Sequence, residues 1–209
     1  MTDHQALKRA LMGAPVWTPP EVLDTYRTVP LLALRKYNRD PLNTDGSLVT
    51  GGRYNAPADL PGAHAMLYVA ENLTVAHAEA RAITVVTGAA GLQIQPGPDQ
   101  RPRLDITVKL RLGGVLDLTD PAVLNVLSLH PADLLQEWLP LNLDGQLALT
   151  QVLARAALDS ARYDAIRYPS ARYPGGRNYA VFPDRVAPQD RAVHDPDDEL
   201  SVFPGPTRP

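Results

Sequence analysis

Residues 67–80 read LYVAENLTVAHAEA, and the hydrophobic period changes within them. The run AMLYVA (65–70) is almost wholly apolar and of strand length. ENLTVAHAEARAI (71–83) has helical spacing, with Asn72 at the position of an N-cap. On a helix that continues through Ile83 to Val86, Glu79 has Val75 at i−4, Ile83 at i+4 and Val86 at i+7. Ala76 and Ala82 lie three residues to either side. Its carboxylate therefore lies on or beside the apolar stripe. A carboxylate avoids such a face unless it is paired, which leaves two readings. Glu79 is either a boundary residue that snorkels outward or meets an arginine, or a group held there for chemistry.

Working outward, GGRYN (51–55) precedes the strand. Glycines allow a tight turn or a close approach to a ligand, and an arginine fork meets phosphates and carboxylates two-pronged. A hairpin turn with a solvated arginine has the same appearance, and the stretch is expected to begin an extended segment. Further upstream the pattern predicts a helix over His4–Met12, a strand over Val22–Val29, a short apolar segment over Leu31–Tyr37, and turns from Asn38 to Thr50. Downstream, RLDITVKLRL (103–112) alternates as a half-buried strand, and Val115–Leu118 continues the sheet. Asp120-Pro121 opens a helix with proline at N1, and helices are expected over Pro131–Leu139 and Gln146–Ala161. DAIRYPS (164–170) and RNYAVF (177–182) read as two late strands joined by ARYPGG, with Ser170 ending one and Asn178 beginning the next. Ser170 is equally suited to a turn or cap. Strands and helices mix without regular βαβ alternation, so the fold class is α+β.

At 209 residues the chain is long enough for one well-buried domain. Its lack of cysteine excludes thiol catalysis and disulfides and favours an intracellular, cytoplasmic location. The N-terminus has no apolar signal region, and no run reaches bilayer length. The formal charge of −3 resides in residues 188–209, which hold five acids against Arg191 and Arg208. The near-neutral body argues against a broad nucleic-acid surface. That end is also proline-containing and is expected to be mobile. Phosphate-cradle, nucleophile-elbow and zincin motifs are missing, and the five histidines show no metal-ligand spacing, so no metal is expected.

Taken in order, TYR (25–27), GGRYN (51–55), LYVAENLTVAHAEA (67–80), PSA (169–171) and GGRN (175–178) resemble the RES-domain family over roughly residues 22–185. The resemblance implies an ADP-ribosyltransferase-like mixed β core with flanking helices. It divides the chain into an N-terminal extension (1–21), a catalytic domain (22–187) and an acidic tail (188–209). It further implies an NAD-degrading toxin, a glycohydrolase or phosphorylase, with NAD as substrate rather than cofactor. The implied partner is an Xre-like antitoxin, in a homo-oligomer or a toxin–antitoxin assembly. Glu79, Arg53 and Ser170 become the catalytic candidates, and Arg27, Tyr68 and Asn178 the NAD-binding ones. On this reading Glu79 holds the ribose hydroxyls and stabilises positive charge on the sugar, while Arg27 and Arg53 take the pyrophosphate or ribose. Tyr68 stacks on nicotinamide, and Ser170 and Asn178 orient amide or ribose. This chain departs from the family pattern at APADLP (56–61), which intervenes before Gly62 and lengthens a loop beside the expected pocket. Transfer of ADP-ribose to a macromolecule and a catalytically silent partner-binding module remain the alternatives.

Overall fold

The computed structural model describes residues 4–36, 40–89 and 91–194. In chain order the elements are α1 (His4–Gly13), β1 (Leu23–Pro30), α2 (Leu31–Lys36), α3 (Asp45–Thr50), β2 (Leu67–Ala70), α4 (Leu73–Glu79), β3 (Ile83–Gly88) and β4 (Gly91–Pro96). β5 (Arg103–Leu110), β6 (Val115–Asp117), α5 (Pro121–Leu127), α6 (Leu139–Leu143), α7 (Leu149–Ser160), β7 (Ala165–Pro169), β8 (Arg177–Val181) and β9 (Arg191–Val193) follow. Two 3-10 turns, Pro131–Leu135 and Pro188–Asp190, complete the set. A mixed seven-stranded sheet, ordered β6-β7-β8-β2-β1-β5-β9, forms the centre, and β3 and β4 make a separate hairpin. Among the described residues only the β6–β7 pair is parallel. This is the expected α+β architecture.

Alternation along the central strands builds a core on each face. Met66, Leu116, Ile166, Tyr168, Ala180 and Phe182 turn to one side, where they pack with Leu7 and Leu11 of α1, Val123 and Leu127 of α5, and Leu153 and Ala157 of α7. Leu67, Val69, Ala165, Tyr179 and Val181 turn to the other side and meet Ile106, Val108 and Leu110 of β5 and Leu34 of α2. The segment read as an N-terminal extension thus supplies α1 to the larger core.

Several local expectations are corrected. The helix carrying Glu79 ends at that residue, because Ala80 caps it and Arg81 takes a left-handed φ of 59°. Ile83 and Val86 belong to β3 and are not helical neighbours of Glu79. The β-branched run ITVVT (83–87) prefers the pleated hairpin, in which it pairs with β4. Residues 45–50 form α3 rather than turns alone. Tyr37, Asn38 and Arg39 lie outside the described residues. Pro131–Leu135 is a 3-10 turn, not the start of an α-helix. Residues 191–193, within the stretch read as a mobile tail, pair with β5 at the sheet edge. The remainder of that tail, 195–209, lies outside the described residues.

GGRYN is neither an extended segment nor a solvated hairpin tip. Gly52 and Asn55 exchange backbone hydrogen bonds of 2.9 and 3.3 Å, closing a buried turn. Gly51 has a φ of +70°. A Cβ on Gly52 would lie 2.6 Å from Tyr68 Oη and 2.9 Å from Asn55 Oδ1. The buried Gln151 side chain of α7 donates to the carbonyls of Gly52 (2.9 Å) and Asn55 (3.1 Å), while Thr150 Oγ1 donates to that of Arg53 (2.5 Å). The glycine therefore permits contact between the turn and β2. Gly52→Ala is expected to cost about 1–3 kcal/mol through this overlap. Denaturant unfolding checks it, and an unchanged midpoint would mean that Tyr68 moves aside freely.

Candidate functional site

Glu79 ends α4, a helix held in place from both ends. Asn72 Oδ1 accepts from Val75 N at 2.9 Å, and His77 Nε2 lies 2.9 Å from Asp105 Oδ2 on β5. One carboxylate oxygen of Glu79 is fully engaged. Ser170 Oγ donates to Oε1 at 2.7 Å and Asn178 Nδ2 donates to the same atom at 2.8 Å. The other oxygen, Oε2, stands 3.9 Å from Arg172 Nε. The side chain keeps 34% of its exposure, whereas Ser170 and Asn178 are 8% and 2% exposed. The two buried groups thus orient the carboxylate from behind and leave Oε2 on the open side. Glu79 is thus paired with Ser170 and Asn178 and, at longer range, with Arg172.

The open side is a cleft of ≈ 430 Å³, within the size range of small-molecule sites. Glu79, Arg27, Arg53, Tyr68 and Asn178 all line it. Ser170 does not, and reaches the cleft through Glu79. Five of the six residues singled out in the sequence therefore share one wall system, and the sixth stands directly behind it. None of residues 56–62 lines the cleft, so the lengthened loop passes elsewhere.

The individual side chains are more constrained than the sequence suggests. Arg27 donates through Nη1 to the carbonyl of Pro41, and through Nη1 and Nη2 to that of Asn43 at 3.3 and 3.4 Å. Burial lowers its pKa to about 10, partly offset by Asp40. It is still a cation at neutral pH. Arg53 Nη1 donates to the carbonyls of Leu134 (2.9 Å) and Gln136 (2.8 Å). Tyr68 Oη accepts from Tyr54 N at 3.0 Å and donates to Asn55 Oδ1 at 2.7 Å. Burial raises its pKa well above the usual phenol value. The hydroxyl is neutral and committed to the turn, so the ring is what Tyr68 offers the cleft.

Sequence reasoning missed Trp138 and Glu137, which close the cleft from the segment after the 3-10 turn. EWLP (137–140) carries no local motif, and its first three residues fall at the end of the helix expected over Pro131–Leu139. Distant partners bring it to the site: Arg53 bonds the carbonyls of Leu134 and Gln136, and four residues beyond Trp138 the Asn142 amide pairs with that of Gln151 on α7. Arg172, on the loop between β7 and β8, was also not singled out.

The RES-domain family profile matches residues 26–202. The chain belongs to the RES-domain family. A chain in the crystal structure of the M. tuberculosis MbcT–MbcA toxin–antitoxin complex has the same fold, with a TM-score of 0.63 and 19% sequence identity over 91% of this chain and 90% of that one. No functionally curated protein matches the sequence. The family match accords with the order of motifs in the RES domain, and the structural match with its mixed, helix-flanked sheet.

Ser170 is the residue whose loss the geometry makes easiest to read. Besides donating to Glu79, its Oγ accepts from Arg172 N (3.1 Å) and Tyr173 N (2.9 Å), and so holds the loop leading to Gly176. Ser170→Ala leaves those two amides without their acceptor, and should cost about 1–3 kcal/mol. Thermal or urea unfolding tests this, with an unchanged stability showing that the loop does not depend on the hydroxyl.

Proposed function

We propose that this RES-domain protein is the toxin of a toxin–antitoxin pair and acts by cleaving the nicotinamide–ribose bond of NAD. The observation that carries the reading is the single carboxylate of Glu79, held through Oε1 by Ser170 and Asn178, in a cleft that Arg27 and Arg53 also line.

Breaking the glycosidic bond sends its electron pair to the nicotinamide nitrogen, which neutralises the pyridinium and leaves positive charge on the ribose. A fixed anion beside that sugar stabilises the charge as it develops, and costs no reorganisation because its donors are already in place. Oε2 of Glu79 is the oxygen available to accept from a ribose hydroxyl. Water then adds to the anomeric carbon and loses a proton, giving ADP-ribose and nicotinamide. With phosphate as acceptor the product is ADP-ribose carrying a new phosphate ester at that carbon. Cationic Arg27 and Arg172 make the wall complementary to a pyrophosphate. The Tyr68 ring, pinned through its hydroxyl, presents a fixed face to a heterocycle. An enzyme that drains NAD harms its own cell, so the reading includes a neutralising protein partner that closes the cleft.

Glu79→Gln separates charge from shape. The amide keeps an acceptor for Ser170, so the variant should fold, bind NAD within a modest factor of wild type, and lose on the order of a hundredfold or more in turnover. Turnover and thermal stability are measured on the same preparation. A folded glutamine variant that releases nicotinamide at the wild-type rate removes Glu79 from the mechanism.

A further inference from the structure

We propose that Arg53 serves the cleft at second hand. It anchors the strap of residues 134–138 so that the Trp138 ring forms the wall on which a planar heterocycle of the substrate stacks. The identity of that heterocycle, an NAD base, rests on the function proposed above.

Arg53 and the strap are 81 and 83 residues apart in sequence, yet one guanidinium nitrogen donates to two of the strap's carbonyls, those of Leu134 and Gln136. Those two acceptors bracket the point where the chain leaves its 3-10 turn, since Gln136 takes an extended conformation (φ −53°, ψ 137°). Leu134 is buried in the main core, but Leu135, Gln136 and Glu137 are exposed. Apolar packing fixes the strap at Leu134 and the Asn142–Gln151 amide pair fixes α6 beyond its other end, while the Arg53 bonds fix the exposed stretch between them. Two residues beyond the second of those bonds stands Trp138, half-buried and lining the cleft. The ring is therefore part of the cleft wall although the strap before it is exposed.

Arg53 is itself held so that it can act as an anchor. Its carbonyl accepts from Thr150 Oγ1, and the carbonyls of Gly52 and Asn55 accept from Gln151. The turn therefore keeps its shape without the arginine side chain, and Arg53→Ala should release the strap rather than unfold the domain. A nitrogen committed to two carbonyls is also poorly placed to be the main grip on a pyrophosphate. Arg27 adds its buried charge to the cleft but has both Nη atoms bonded to carbonyls, so the half-exposed Arg172 is the more available guanidinium for that role. Tyr68 stands on β2 and Trp138 on the strap, so two aromatic walls are available to a ligand with two ring systems.

The protein contains two tryptophans. Trp17 lies away from the cleft, with the Arg167 guanidinium 4.8 Å from its ring centroid. Trp17→Phe therefore leaves Trp138 as the sole indole reporter. The titration uses NAD with the Glu79→Gln protein, in which turnover is suppressed, and follows both indole fluorescence and binding heat. NAD should quench Trp138. Adding Trp138→Ala should weaken binding about tenfold, the scale of one base stacked on an aromatic ring, while Trp138→Phe should stay within about twofold. Arg53→Ala should match the alanine variant at 138, and the double variant should be no weaker than the weaker single one, because one residue acts through the other. Circular dichroism of each variant reports folding. NAD binding without quenching, with full affinity in Trp138→Ala, overturns the stacking wall and leaves the NAD reading intact. Effects of Arg53→Ala and Trp138→Ala that multiply would place Arg53 on the ligand itself and overturn its positioning role. Absence of any NAD binding to folded protein sinks the proposed function and this inference together.

Discussion

The antiparallel register of β2 on β8 is the constraint on which the site depends. It sets Ala70 opposite Asn178 and Tyr68 opposite Ala180 at the centre of the sheet. From Ala70 the chain needs only Glu71 and the Asn72 cap before α4 begins, and seven helical residues then carry Glu79 back over the strand ends. From Asn178 the chain runs back through Gly176, whose carbonyl accepts from Ser170 N at 2.8 Å. The carboxylate and its two donors therefore meet because strand pairing and one short helix leave them no other separation. A one-residue slip would turn Asn178 to the opposite face and exchange the two cores.

Close packing reinforces this geometry where a larger side chain would break it. A Cβ on Gly176 would stand 2.6 Å from Val75 Cγ2 of α4. Gly52 meets Tyr68 in the same way across the cleft floor. Both glycines let loops lie flat against elements that carry site residues, and both precede the polar residues that the motifs present, Arg53 after Gly52 and Asn178 shortly after Gly176. The hydroxyl of Tyr68 is tied into the first of these turns and the Glu79 carboxylate is tied to the loop of the second. The cleft floor is thus preorganised, while its outer wall rests on the Arg53 bonds to an exposed strap. That difference suits a site that must keep its charged groups fixed yet admit a long, flexible ligand.

Much of this was legible in the sequence. The change of period within LYVAENLTVAHAEA, the Asn72 cap, the alternation of β5 and the two late strands all have local causes, and the structure contains each of them. The order of short motifs also marked the family and the residues that gather at the cleft. What escaped reading was set by distant partners. The end of α4 at Glu79 depends on the following β-branched run joining a hairpin with residues 91–96. The buried turn at GGRYN depends on Gln151 and Thr150, about a hundred residues away, and nothing in the pentapeptide itself distinguishes it from a surface hairpin. Trp138 reaches the site through the bonds of Arg53 to its strap and of Gln151 to Asn142, and β9 pairs with the edge of β5.

If the oriented Glu79 carboxylate stabilises charge on ribose, proton NMR of NAD incubated with the purified wild-type protein shows it most directly. Buffers with and without phosphate are compared, and a parallel unfolding curve establishes that the protein is native. Nicotinamide resonances should grow as those of NAD decline, with ADP-ribose, or its phosphate ester when phosphate is present, appearing in equal amount. NAD that stays intact through prolonged incubation with concentrated, folded protein would contradict it.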